Sequence, residues 1–365
     1  MPPLARTDLD HILYHTRDLW DEVRGKRLFL TGGTGFFGCW LLESFAYAND
    51  KLGLNSSALV LTRNYEAFKL KAPHLANHPA IAFHPGDVRS FEFPGGEFPF
   101  IIHGAAESST NLNNEEPLSM FDVIVQGTRR VLDFAERAGT IKLLFISSGA
   151  VYGKQPGNMT HVPEEYQGAP DTTDPASAYA EGKRVGELLC SLYARRTSLQ
   201  AKIARCFAFV GPYLPLDVHF AIGNFIRDGL AGGPIRVKGD GTPYRSYLYA
   251  VDLAIWLWTI LLRGETCVPY NAGSEHALSM AELAARVAAI FPAPIEVQIA
   301  GKPLPGSFPE RYVPSVRRAQ SVLGLNQIFS LEQSLRATVL WHSKASHLCP
   351  PGKRIQKEGE KHWQK

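Results

Sequence analysis

The sequence predicts an α/β fold, a doubly wound parallel sheet followed by a smaller C-terminal α/β region. Three observations carry that prediction. Short apolar runs recur at 58–62, 100–103, 143–147 and 201–205. Longer stretches with helical periodicity separate them, 118–138 among them. This alternation is how parallel strands become buried on both faces. Beyond residue 206 the pattern changes: Pro and Gly become frequent, as in VGPYLPLD and AGGPIRVKGDGTP, and short strands and helices mix.

Taken in order, residues 8–24 place Leu9, Ile12, Leu13, Leu19, Trp20 and Val23 on an imperfect helical face, an N-terminal helical extension over 1–24. LFLTGGTGFFGCWLLESFAYA then reads as strand, glycine-rich turn and helix. ALVLT is the second strand, and Asp87 in HPGDVRSF ends a third. Strands at 100–103 and 143–147 flank the 118–138 helix, and a helix from Tyr179 precedes the strand at 201–205. The first domain therefore spans 25–206 and is rejoined by about 244–262. Residues 207–343 form the far wall of a cleft, and 344–365 read as a disordered tail.

Composition narrows the function. The chain has 365 residues, 45% hydrophobic and 20% charged, enough for a large core. Its net charge of +3 is too weak to argue for nucleic acid. Most of that charge sits in the tail, where six Lys/Arg face two Glu, leaving −1 for the rest. Cys39, Cys190, Cys206, Cys267 and Cys349 are too scattered for a metal or redox motif and suit a reducing compartment. The N-terminus is too polar for a signal peptide, and the most apolar stretch, 253–262, is too short to span a bilayer. A soluble cytoplasmic protein is expected.

In TGGTGFFG, Gly32, Gly35 and Gly38 let the backbone turn tightly and approach a diphosphate, with Thr34, Phe36 and Phe37 between them. The helix N-terminus that follows supplies amide donors and a favourable dipole, as in a Rossmann-type dinucleotide site. The second strand ends Leu61-Thr62-Arg63-Asn64, with no carboxylate to grip a ribose diol. Arg63 suits a 2′-phosphate through its planar fork, so NADP is expected, with NAD the alternative. Asp87, beside Val88, can accept from an adenine amino group.

Tyr179 and Lys183, four residues apart, share a helix face. A phenol titrates near 10, and a neighbouring ammonium lowers that toward working pH. Ser147 and Ser148, at a strand end, can hydrogen-bond a substrate oxygen.

A Tyr-x-x-x-Lys about thirty residues after a strand-end Ser, downstream of a dinucleotide loop, is a specific combination. On it the chain resembles the extended short-chain dehydrogenase/reductases, in particular the nucleotide-sugar epimerase/dehydratase group. The resemblance covers 26–343 through TGGTGFFG, HGAAESS, SSGAVYG, YAEGK, RCFAFVGP, GDGTPYRSYLYAVDL and FPERYVPS. It implies that Tyr179 is the acid–base, Lys183 its partner and a ribose ligand, and Ser148 the catalytic hydroxyl. It implies that Ala105, Ala106 and Thr128 line the cofactor. Glu107, Ser108 and Gly149 would face the substrate, and Asn224, Arg245 and Arg311 would hold its diphosphate and nucleotide. It also implies a homodimer paired through 118–138 and 179–196, with Val125, Leu132, Leu188 and Leu189 in the seam. Ala208 and Ile124 depart from the family pattern, which often has Asn at both.

Dehydratases of this group carry an acid pair directly after the catalytic Ser/Thr, where this chain has Gly149-Ala150. Neither side chain can carry a proton. The expectation is therefore reduction of a nucleotide-linked 4-keto-6-deoxyhexose with NADPH. A nucleotide-sugar 4-epimerase using NAD comes second. A 4,6-dehydratase comes third, with Glu107 or a residue from elsewhere standing in for the lost acid. The non-enzyme alternative is a redox sensor, against which Tyr179 and Lys183 speak.

Overall fold

The computed structural model describes residues 1–106, 116–218, 220–303, 306 and 308–348. The chain begins with α1 (Arg6–Thr16) and a tighter turn, Arg17–Glu22. The expected N-terminal helix thus breaks at Thr16, whose hydroxyl donates to Ile12 O at 2.7 Å and accepts from Trp20 Nε1 at 3.0 Å. The first domain follows as β1 (Arg27–Thr31), α2 (Phe36–Leu52), β2 (Ser57–Thr62), α3 (Tyr65–Lys71), α4 (Pro73–Ala76) and β3 (Ile81–Pro85). It continues through β4 (Phe100–His103), α5 (Pro117–Arg137), β5 (Lys142–Ser148), α6 (Ala178–Arg196) and β6 (Gln200–Cys206).

The chain then leaves the sheet through β7 (Phe209–Val210), α7 (Ala221–Leu230), β8 (Ile235–Val237), β9 (Tyr244–Arg245) and β10 (Leu248–Tyr249). It returns with α8 (Ala250–Arg263) and β11 (Pro269–Ala272). A second excursion holds β12 (Leu278–Ser279), α9 (Met280–Ala288), β13 (Val297–Ile299), β14 (Arg311–Tyr312), α10 (Arg317–Leu323) and α11 (Leu331–Leu348). The seven-stranded sheet has the order β11-β6-β5-β4-β1-β2-β3, parallel throughout. The chain comes back to the sheet within the expected 244–262 stretch through α8, although β9 and β10 stay outside the sheet, and β11 then closes its edge. Lys344–Leu348 belong to α11 rather than to a loose tail.

Strand order reverses between β1 and β4, which opens a crevice above their carboxyl ends. Packing holds that crevice open from both sides. On one face α2 and α8 cover the sheet. Residues 250–262 of α8 are all buried, so the helix has no polar stripe. Its outer side is covered by the N-terminal extension, where Trp20 and Trp258 meet at 4.8 Å between ring centroids. On the other face α5 and α6 pack Val131, Leu132 and Tyr193 over Phe29 and Phe98. Leu132, expected in a dimer seam, is therefore core. A separate cluster, with Ile222, Phe225, Ile226, Ile235 and Leu283, builds the second region. No helix among the described residues is long and apolar enough to cross a membrane.

Candidate active site

The glycine-rich turn is dictated by close approach. Gly32 has φ +74°, and a Cβ there would lie 2.5 Å from Gly104 O. Gly38 works from inside: a Cβ would come within 2.3 Å of Gly33, so its role is to seat α2 against the turn. Above the turn lies a cavity of about 890 Å³. Gly32, Thr34, Gly35, Phe36 and Phe37 line its phosphate end, beside the first amides of α2. This bare backbone cradle fits a dinucleotide's diphosphate.

At the end expected to take the adenine, Arg63, Asp87 and Val88 line the wall, and Ala105 and Ala106 follow after β4. The Asp87 carboxylate accepts from Arg89 Nε at 2.8 Å, and these bonds hold it below the usual carboxylate range. Glu107 and Ser108 lie outside the described residues. Thr128 is wholly buried beneath the wall rather than in it. Its hydroxyl donates to Ile124 O at 2.6 Å and so accepts from His103 Nε2 at 3.0 Å. His103 Nδ1 then accepts from Thr31 Oγ1 at 2.7 Å, and Thr31 accepts from Ala105 N at 3.1 Å. This accounting puts the His103 proton on Nε2. Burial pushes His103 down to about 3, so it stays neutral.

The candidate catalytic set sits at the end of β5 and the start of α6. Ser148 Oγ accepts from Ala150 N at 3.2 Å as the strand turns into a short helical loop. Tyr179 and Lys183 line the cavity one helical turn apart. Burial raises the Tyr179 phenol, and a hydrogen bond with Ser148 lowers it in part. Lys183 Nζ donates to Ile146 O at 2.7 Å, 6.0 Å from the Tyr179 ring centroid. Burial brings the Lys183 ammonium down to about 8. Ser147 lines the cavity but gives its hydroxyl to Glu187 at 2.5 Å, and Glu187 pairs with Arg205 at 2.7 Å. Gly149 is backed by an aromatic ring: a Cβ there would lie 2.6 Å from Phe207.

At the end expected to take the substrate, the structure sorts the expected residues. Arg245 lines the cavity, anchored to Glu310 at 2.7 Å. Asn224 accepts from Arg227 at 3.0 Å and Arg311 stacks over Tyr244 at 4.3 Å, and neither lines the cavity. The residue that does is Tyr312, which sequence reasoning passed over. β14 pairs in parallel with β9, and successive strand residues face opposite ways, so Arg311 and Tyr312 part company. That alternation was the available signal. Phe207 and Tyr247 complete an aromatic wall.

Residues 28–273 match the model of the NAD dependent epimerase/dehydratase family. UDP-glucuronic acid decarboxylase 1 of Xenopus tropicalis is 27% identical over 324 residues, 88% of this chain and 73% of that protein. UDP-glucuronic acid decarboxylase 6 of Arabidopsis thaliana is 29% identical over 310 residues, 85% of this chain and 86% of that one. Among solved structures, dTDP-glucose 4,6-dehydratase of Streptomyces venezuelae with NAD bound superposes with a TM-score of 0.73 at 24% identity, covering 88% of this chain and 98% of the other. UDP-glucose 4-epimerase of Thermotoga maritima gives 0.71 at 20% identity, covering 87% and 99%. With the diphosphate cradle and the Ser148–Tyr179–Lys183 set assembled over one cavity, the chain belongs to the NAD-dependent epimerase/dehydratase family of nucleotide-sugar enzymes.

Proposed function

We propose that the protein reduces a nucleotide-linked 4-keto-6-deoxyhexose at C4, with NADPH as the cofactor and as a homodimer. One observation carries the reading. The two positions after Ser148 hold no acid, and the Phe207 ring leaves no room for one at Gly149. Elimination of a C6 hydroxyl needs an acid and a base besides Tyr179, whereas a keto–alcohol exchange at C4 needs one proton donor. Tyr179 holds that proton, Ser148 orients the sugar oxygen, and Lys183 supplies positive charge behind the phenol. The nicotinamide, when bound, supplies the hydride. Arg63 at the adenine end supports NADP(H), since no carboxylate follows β2 to claim the ribose diol.

The relatives favour a second reading, decarboxylation of a nucleotide-linked glucuronic acid. Oxidation at C4 makes a β-keto acid, which loses carbon dioxide with no base removing a C5 proton. The same short set of side chains serves both reactions.

The test is direct. NADPH with dTDP-4-keto-6-deoxyglucose should lose nicotinamide absorbance and yield the 4-hydroxy sugar, while UDP-glucuronic acid with NAD⁺ should release no carbon dioxide. The opposite pattern replaces the first reading with the second. Formation of a 4-keto-6-deoxy sugar from a nucleotide hexose at roughly 1 s⁻¹ or more removes both. Arg63→Ala should weaken NADPH more than NADH. Equal binding of the two, unchanged by the substitution, refutes the cofactor preference.

A further inference from the structure

The last residues of β5 have a strand partner on one side only. β4 pairs with β5 as far as Phe145, whereas β6 follows it to Ser148. Ile146, Ser147 and Ser148 therefore lack a ladder on the β4 side, where the strand end meets the cavity. The face of α6 that carries Tyr179 and Lys183 supplies what is missing. Glu187 lies on that same face, one turn beyond Lys183. Lys183 Nζ donates to Ile146 O at 2.7 Å, and Ser147 Oγ donates to Glu187 Oε1 at 2.5 Å. Two successive turns of the helix thus hold two successive residues of the strand end, and Ser148 is the next residue.

Glu187 is itself fixed. Arg205 of β6 donates to it twice, from Nε to Oε1 at 3.0 Å and from Nη2 to Oε2 at 2.7 Å. A forked pair of this kind sets the plane of the carboxylate as well as its place. Arg205 Nη1 donates to the Tyr152 hydroxyl at 2.9 Å, and that hydroxyl donates to Asn271 Oδ1 at 2.8 Å. Tyr152 closes the short helical loop that begins at Gly149. Ser148 is therefore bracketed: Ser147 before it and Tyr152 after it are tied to one guanidinium–carboxylate pair. All three Arg205 side-chain nitrogens donate within the protein, so this cation is not presented to a substrate phosphate.

We propose that Glu187, through Ser147 and Arg205, is a positioning residue that sets Ser148 against Tyr179 and Lys183. Glu187 does not line the cavity. It acts on orientation, and no proton moves to or from it in the reaction. A reacting group displaced by about 1 Å from its productive place loses about 10²-fold in rate. The Ser147 hydroxyl, expected to meet a substrate oxygen, serves this clamp instead.

The inference rests on Ser148 and Tyr179 acting together at a C4 oxygen, and its test separates the two ideas. Ser147→Ala removes the strand's half of the clamp. Glu187→Gln weakens the helix's half by taking the charge from the Arg205 pair. Wild type, both single variants and the double variant are compared with NADPH plus dTDP-4-keto-6-deoxyglucose and with NAD⁺ plus UDP-glucuronic acid, at a temperature where circular dichroism shows all four folded. Positioning requires each single variant to lower kcat about tenfold or more with KM within about twofold. It also requires the double variant to lose no more than about twofold beyond the worse single, because both substitutions undo one clamp. An unchanged kcat in Ser147→Ala, a loss carried by KM, or losses that multiply overturn it. If Glu187→Gln does not fold, Ser147→Ala alone decides by the same split between kcat and KM. If wild type turns over neither substrate, the proposed reaction falls, and crystal structures decide the clamp. The Ser148 hydroxyl should then shift relative to Tyr179 in Ser147→Ala, and an unmoved Ser148 overturns the inference.

Discussion

At Tyr179 a single oxygen separates the proposed proton donor from an inert ring. Tyr179→Phe should keep the fold and cofactor binding and lower turnover by about 10²–10⁴-fold. A kcat within a few-fold of wild type would end the assignment. His103 makes a different kind of demand. Its folded value lies near 3 against an ordinary 6.5, so between those values the unfolded chain binds a proton that the fold refuses. Its contribution to stability is present above 6.5 and is lost as pH falls toward 3. Imidazole nitrogen shifts should report a neutral Nε2–H ring at pH 5, and protonation near pH 6 would contradict the Thr31–His103–Thr128 chain. Tyr179 and Lys183 were legible as a pair because four-residue spacing puts them on one helix face, whereas Ser148, on another element 31 residues earlier, was reached through the family resemblance. Tyr312 and His103 were not, because their partners are fixed by register and by packing between elements far apart in the chain.

Elements were read well where flanks were sharp. β4 has its expected bounds, and β5 and β6 each gain one residue at both ends. β11 escaped notice because Pro-Tyr-Asn-Ala is no apolar run. Its Asn271 is buried only because Nδ2 donates to Val162 O at 3.0 Å and Ser315 O at 2.9 Å, partners that the sequence hides. The short helical loop after β5 carries the element-scale prediction. Introducing the dehydratase pair by Gly149→Asp and Ala150→Glu drives a side chain into the Phe207 ring. Overpacking of this kind costs about 1–3 kcal/mol. The double variant should melt several degrees lower and form no 4-keto-6-deoxy product. Dehydration by this variant with an unchanged melting temperature would show that Phe207 is not the barrier.

For the whole molecule, the outward side of α5 and α6 is where two copies should meet. Leu188 and Leu192, 58% and 51% exposed, stand one turn apart on α6, and Leu118 at 81% lies near the start of α5. Leu188→Glu with Leu192→Glu should convert a sedimenting dimer to monomer without lowering cofactor affinity. Wild type that sediments as a monomer at micromolar concentration contradicts the pairing. The broad architecture was legible because strand–helix alternation is written locally. The return at 244–262 was legible too, but not the strand β11 that completes it, nor the second excursion that follows.

That return sets a timetable for synthesis. Cys206 lies beside Ala272, sixty-six residues later, so β6 leaves the ribosome with one edge unpaired. At about 5–20 residues per second its partner arrives roughly 3–13 s afterwards. Through that interval the nascent chain exposes a parallel edge beside the strand that carries Ser148, and a chaperone or a slowly translated stretch would act there. Stalled chains ending before 269 should stay protease-sensitive at β6, and chains long enough to free residue 272 from the exit tunnel should not.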